Sequence, residues 1–525
     1  MADTYIDEKE EYSDHVRMVM NGEPINGGPT GPVNIALQQL ANRTAFLQKK
    51  TNNLQEENIS DSAVTSSKIA AGAVTAEKIE KNTLETAIVS SASSGTASAP
   101  GYYKRSEEFT STSSARTTVT TPTRLWVNIG TKGYVKEGAE SLDLSKDATW
   151  SANAKLWAAK TAYKVNDVIY SSDTKNGYYY RCVTAGTSSA LTPTLPTTIG
   201  ATYNDGDVQW LCEYDYTVSS NRAGKDFYIY ACQPTEETET TPKIVLSANS
   251  TVPVGYNADN SRKIGGFHCE CADIGDTGDT NHPLNNYKAG DVLPHSIWDI
   301  SHRPKSEPEG MAYVPGLDKW FDIYISSWNG SKLVSVFGGV IADGGSSPAW
   351  HGEKFIEQFG LQKKMLMWRD EFMVMAKGSN EETSIKGSAD PGTTGGHVDT
   401  AGRRMVSYYG HEDCCGTIWQ WARDTFENYP GAVWNNNSGN TTYTDGAMRH
   451  YLDGYQWRKE PVYDSAVDSR SYGAAHGLLR RAIVGAYWGD GAYCGSRAVG
   501  CDRFSSSVAA IVAARGASEP LHEAA

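Results

Sequence analysis

The chain runs to 525 residues, more than one ordinary hydrophobic core sustains, so several independently packed modules are expected. Lys+Arg total 48 against 62 Asp+Glu, and the net charge of −14 argues against a nucleic-acid surface and against docking on anionic membrane. Aromatic usage is lopsided, with 29 Tyr and 14 Trp against 11 Phe, and rings that carry a polar tip fit exposed recognition surfaces better than buried cores. No run approaches the roughly 18 consecutive apolar residues that cross a bilayer, and the N-terminus is acidic rather than a basic lead into an apolar run. Nine cysteines are too few and odd in number for a disulfide-stapled scaffold, so a soluble chain folded in a reducing cytoplasm, with no membrane insertion, is expected.

Residues 1–30 read as an attachment segment. From Thr30, an N-cap candidate, and Pro32, Val33, Leu40, Leu47 and Leu54 recur every seven residues with Leu37, Thr44 and Thr51 between them, which predicts a short coiled-coil helix over 31–58. One amphipathic helix packed on its own domain fits the heptads equally well. Over 59–95, Ala63, Val64, Thr65, Lys68 and Ile69 are followed ten residues later by Ala73, Val74, Thr75, Lys78 and Ile79, and a Ser/Ala/Gly linker ends the stretch. Each copy is too small to bury its own apolar side, so a fibrous neck of several wrapped chains is expected. Gly27, Gly28, Pro29, Thr30, Gly31 and Pro32, followed by Leu40, Ala41, Asn42, Arg43, Thr44, Ala45, Phe46 and Leu47, resemble the N-terminal region of tailed-bacteriophage tail-fibre proteins. The resemblance implies a homotrimer attached to the phage tail or baseplate through residues 1–58.

Alternating runs at 124–129, 133–135, 226–231 and 243–247 predict strands of one β domain over 96–151 and 217–275. Between its halves, 152–216 has a different Trp/Tyr rhythm and reads as a module inserted at a loop tip. Its Tyr163, Asp167 and Val168, its Tyr180, Cys182, Ala185, Gly186, Thr187 and Ser188, and its Asp205, Gly206 and Trp210 resemble the small carbohydrate-binding modules attached to chitinases. Sugars stack on flat rings, so Trp157, Tyr163, Tyr178 and Tyr179 are the candidate glycan-binding residues, against the bland reading that so small a module needs them for its core.

Residues 276–525 are dense in Gly, Trp, Tyr and Asn, and predict short strands and a few helices tied by long loops, with helical candidates at 351–360 and 415–427. The cysteines Cys269, Cys271, Cys414 and Cys415 lack the second matched set of a tetrahedral site and read as structural thiols. The pairs His397 with Asp399 and His411 with Asp413 read as buried polar anchors. No cofactor is called for; a structural calcium on the loop holding Asp276, Asp279 and Asn281 is left open. No phosphate loop and no nucleophile elbow occurs, and no carboxylate pair can be nominated for glycoside cleavage, so the chain is expected not to be an enzyme.

Arg303, Pro304, Pro308 and Gly310, Trp368 to Phe372 in sequence, Gly395, Gly396 and His397, Trp419 and Trp421, and above all Tyr487, Trp488, Gly489, Asp490, Gly491, Tyr493, Cys494, Gly495 and Arg497 resemble the C-type-lectin-like domain of phage tropism determinants and of diversity-generating-retroelement variable proteins. That fold is shared with formylglycine-generating enzymes, whose closer cysteine pair Cys494 and Cys501 do not match. The resemblance implies that residues 486–508 lie at an exposed tip and contact the host receptor through Tyr487, Asp490, Tyr493, Ser496, Ala498, Val499, Asp502, Arg503 and Phe504, with Trp488, Gly491, Cys494, Gly495 and Arg497 as scaffold. The whole chain is therefore expected to be a multidomain, mainly β and α+β tail fibre of the virion, assembled in the host cytoplasm. It binds a bacterial surface glycan or protein; the alternatives are a glycan-degrading tailspike and a purely structural fibre segment.

Overall fold

In the computed structural model the described residues are 32–52, 102–150, 154–171, 175–236, 239–428 and 478–521. The chain divides into two compact units, Met1–Glu80 and Lys81–Ala525. The described residues are mostly β with few helices. The expected attachment segment, decad repeat and linker lie outside them.

In the first unit the described residues form a helix, Pro32–Asn52, that covers most of the predicted one. Proline opens it, where its missing N–H costs nothing, and Gln38 Nε2 donates to Asn42 Oδ1 one turn on at 2.8 Å. Leu40 and Leu47 are 53% and 49% exposed, so these two heptad leucines are uncovered.

The second unit begins with the β domain. Strand Arg124–Ile129 pairs with Tyr103–Arg105 and Lys132–Glu137, while the second half forms a sheet ordered Lys243–Ser247, Asp226–Cys232, Ser261–His268, Trp298–Asp299. The inward residues of both halves, Val127 and Ile129 with Phe227, Ile229 and Ile264, share one buried core. The sheet reaches past 275, because Gly265 lets Trp298 close in; a Cβ there would lie 2.5 Å from the Trp298 carbonyl oxygen.

The inserted segment forms its own five-stranded sheet around strands Val208–Tyr214 and Tyr178–Thr184, with Tyr163, Tyr180 and Trp210 in its core. Buried Asp205 ties this core: its Oδ2 accepts from Trp157 Nε1 at 2.7 Å and Trp210 Nε1 at 3.0 Å, and Oδ1 from the Ser189 N–H at 3.0 Å. Burial pushes its carboxyl up, but those donors outweigh it and hold it below the usual range.

In the C-terminal half, helix Gly352–Leu361 matches the first helical candidate, and His351 caps it by accepting from the Lys354 N–H. The second candidate is a strand instead, Trp419–Asn428. It lies inside a sheet ordered Gly495–Phe504, Leu478–Gly485, Trp419–Asn428, Val512–Ala513, and Ile418, Gln420, Trp421 and Ala422 are all fully buried. A strand covered on both faces loses its alternation and looks helical in sequence. The end of the chain closes the domain: Pro520–Leu521 pairs with Arg303–Pro304, and the buried Arg515 guanidinium donates to Gln420 Oε1 and to the carbonyls of Asp322, Ile323 and Glu412.

Candidate functional site

The hairpin of Leu478–Gly485 and Gly495–Phe504 carries the expected contact segment, and its second strand is the edge of its sheet. Val484 pairs with Val499 and Arg481 with Arg503, but the register then jumps so that Gly485 faces Gly495, which loops Ser496, Arg497 and Ala498 outward. The connecting turn is held from below. Asp490 Oδ2 accepts from the Tyr487 N–H at 3.1 Å, the Trp488 N–H donates to the Thr417 carbonyl at 3.1 Å, and the half-buried Trp488 ring packs on Ile325, Ile341, Ile418 and Ala513.

Glu381 provides the other anchor. Its Oε1 accepts from both the Ser496 N–H, at 3.0 Å, and the Ser496 hydroxyl, and the neighbouring Glu382 N–H donates to the Cys494 carbonyl at 2.8 Å. A Cβ on Gly495 would lie 2.0 Å from Glu381 Oε2, so the anchor and the glycine fit only together. Nothing in the sequence marks Glu381, because its partner is 115 residues away.

On this platform Tyr493 is 85% exposed and Val499 41%. Ser496, Ala498 and Asp490 are half-buried, and Asp502 lies on the strand. Three residues expected to stand exposed are only half so. Tyr487 folds against Trp488 with ring centroids 5.1 Å apart and closes over Gly489; Phe504 lies under the Arg480 guanidinium, 3.6 Å from its ring centre; and Arg503 is half-buried beside them. Arg497, expected as scaffold, is exposed, whereas Cys494 is buried, its thiol pushed up to about 12 by desolvation and by Asp490. Such a thiol stays protonated and unreactive. The eight buried cysteines, Cys501 aside, are free thiols.

The glycan candidates divide differently. Tyr163 is 8% exposed and Tyr179 4%, so both are core residues with covered faces and not stacking platforms. Tyr163 packs edge-on against Trp210 at 4.9 Å, and Tyr179 accepts from Lys175 at 2.9 Å and donates to Asp147. Trp157 and Tyr178 are half-buried against the same core. In the loop at 276–281, Asp276 Oδ1 accepts from the Gly278 N–H and Asp279 from the Asn281 N–H and the Tyr408 hydroxyl, so these carboxylates already serve the turn. Among the described residues Glu270, Cys271 and Glu412 bring three ligand-type atoms within 4.8 Å of one another, but the Arg404 guanidinium already binds Glu412 and Glu270. The His397 ring pairs with buried Asp413 at 3.0 Å, and buried Asp399 accepts from Arg403 and Thr383, both acting as anchors.

Parts of the chain are similar to known proteins. A domain family described as the Mtd second domain matches residues 197–299. The chain is 29% identical over 243 residues to the tail fiber receptor-binding protein of Bordetella phage BPP-1, a match that covers 41% of this chain and spans 58% of that relative's length. Among solved structures it is similar to the Major Tropism Determinant I1 variant, at 20% identity and a TM-score of 0.47 over 80% of this chain and 86% of that one. The U1 variant gives 19% identity and a TM-score of 0.42 over 70% and 99%. No helix among the described residues is long and apolar enough to cross a membrane.

Proposed function

We propose that this chain is a receptor-binding component of a bacteriophage tail fibre, with a C-type-lectin-like C-terminal half that meets the host through the hairpin tip at 486–508. The carrying observation is the pairing of an outward Tyr493 and Val499 with a turn held rigid by Glu381, Thr417 and the packed Trp488. Exposed aromatics on a preorganised surface are what recognition hot spots use. Similarity to a tail fiber receptor-binding protein supports the same reading. Uncovered Leu40 and Leu47 support assembly as a homotrimer. The trimer is then a virion component joined to the tail or baseplate through residues 1–58. On this reading the chain binds without cleaving. Incubating it with host cells should block virion adsorption and release no new reducing ends from the host envelope polysaccharide; release of reducing ends would make it a depolymerase instead.

A further inference from the structure

The loop 336–340 stands beside the hairpin tip and is fixed by its own backbone. The Gly338 N–H donates to the Thr394 carbonyl at 2.8 Å, the Thr394 N–H to the Gly339 carbonyl at 3.0 Å, and the Ile341 N–H to the Gly392 carbonyl at 3.2 Å. The buried Thr394 hydroxyl donates to the Val336 carbonyl and accepts from the Gly339 N–H at 3.1 Å. Phe337 is wedged over glycines: a Cβ on Gly224 would lie 2.6 Å from the Phe337 Cβ, and one on Gly395 3.1 Å from its Cδ2.

Two contacts join this loop to the hairpin segment. Ile341 turns inward into the cluster on which Trp488 packs, so its neighbour Val340 turns outward and is 71% exposed. Three residues on, the Gly344 N–H donates to the Ala509 carbonyl at 3.1 Å, and a Cβ on Gly344 would lie 2.1 Å from the Ala509 nitrogen, beside exposed Val508. Val336, Phe337 and Val340 on the loop and Tyr493, Val499 and Val508 on the hairpin segment make up six of the ten large apolar side chains exposed among the described residues of 276–525. Such side chains scattered singly are ordinary, but six gathered on two ordered segments that pack together form a patch of the kind that marks a protein contact.

We propose that the loop 336–340 is a second arm of the recognition surface, on which Val340 takes an apolar patch of the same receptor that the hairpin meets, and that this receptor is a protein. The inference rests on the reading of the hairpin as the receptor contact. Valine has no side-chain hydrogen-bonding group, so at this arm it would leave the hydroxyls of a polysaccharide without partners, whereas covering another apolar side chain is favourable. Backbone pairing has already ordered the loop, so little of that gain is offset by fixing the chain on binding.

The test is adsorption of the labelled full chain to host cells, paired with thermal melting. Val340→Ser removes the apolar branch at an exposed position, and adsorption should weaken about tenfold, the loss expected for one valine side chain left uncovered, with melting temperature unchanged. Val340→Ile keeps the apolar branch and should adsorb as the wild type does. Digesting the cell surface with a broad protease beforehand should abolish adsorption of the wild type. Tyr493→Ala reports on the hairpin alone. Full adsorption by Val340→Ser alongside loss in Tyr493→Ala overturns the second arm and leaves the hairpin reading standing; full adsorption by both variants overturns both. Adsorption retained on protease-treated cells overturns the protein receptor.

Discussion

Glu270 and Glu412 face one guanidinium, that of Arg404, in a fully buried cluster. Two carboxylates sharing one cation cannot both stay ionised cheaply. Burial pushes the Glu270 carboxyl up to about 8, Glu412 adds to that, and Arg404 opposes it. A carboxyl raised in this way binds more protons folded than unfolded, so its contribution to stability is lost as pH rises from about 4.5 to about 8. Wild type and Glu270→Gln should therefore melt together near about pH 5 and diverge, wild type lower, toward about pH 8. Parallel melting curves across that range would show that Glu270 does not titrate there. Gly495→Ala makes the opposite kind of prediction. The added Cβ meets the end of a long side chain at a backbone angle, φ +159°, that L residues rarely adopt, so stability should fall by about 1–3 kcal/mol, and Glu381 must leave Ser496 so that the tip loses affinity for its receptor. Melting and cell binding, measured together on that variant, separate the two effects.

Among elements, the inner strand Trp419–Asn428 places Trp421 and Ala422 in two separate buried clusters. Trp421 is fully buried in the cluster of Trp350, Phe355, Phe359 and Ile483, and Trp421→Ala should cost about 3–5 kcal/mol in denaturant unfolding; a cost below about 1 kcal/mol would mean that the site is not core. Sequence reading found Arg124–Ile129 and Lys243–Ser247 through their runs of β-branched and other apolar residues, although both strands are buried at every position after the first. It failed on Trp419–Asn428, which has only one β-branched residue, Thr425, and no regular period. A run of local motif residues pointed to the hairpin segment but not to Glu381, whose role exists only through a contact distant in the chain. Tyr163 and Tyr179 could not be told from surface rings, because spacing reports which residues are aromatic and not which face is covered.

For the whole molecule, the insert is docked and not merely tethered. Val168 and Tyr179 of the insert pack on Trp150, and Lys175 bridges to Asp147. Deleting residues 154–214 with a short Gly/Ser bridge should leave a folded protein, since Val127, Phe227 and Ile264 keep their shared core, but with a lowered melting temperature from the bared Trp150; aggregation would show that the module is part of the domain's folding unit. Light scattering of the full chain should return three times the chain mass, and a monomer would remove the fibre reading. The central claim is tested most directly at the tip by pairing thermal melting with host-cell binding for Tyr493→Ala. This side chain is 85% exposed, so its truncation should leave melting unchanged while weakening adsorption by about 1 kcal/mol or more. Unchanged adsorption by a fully folded Tyr493→Ala would contradict receptor contact through this hairpin.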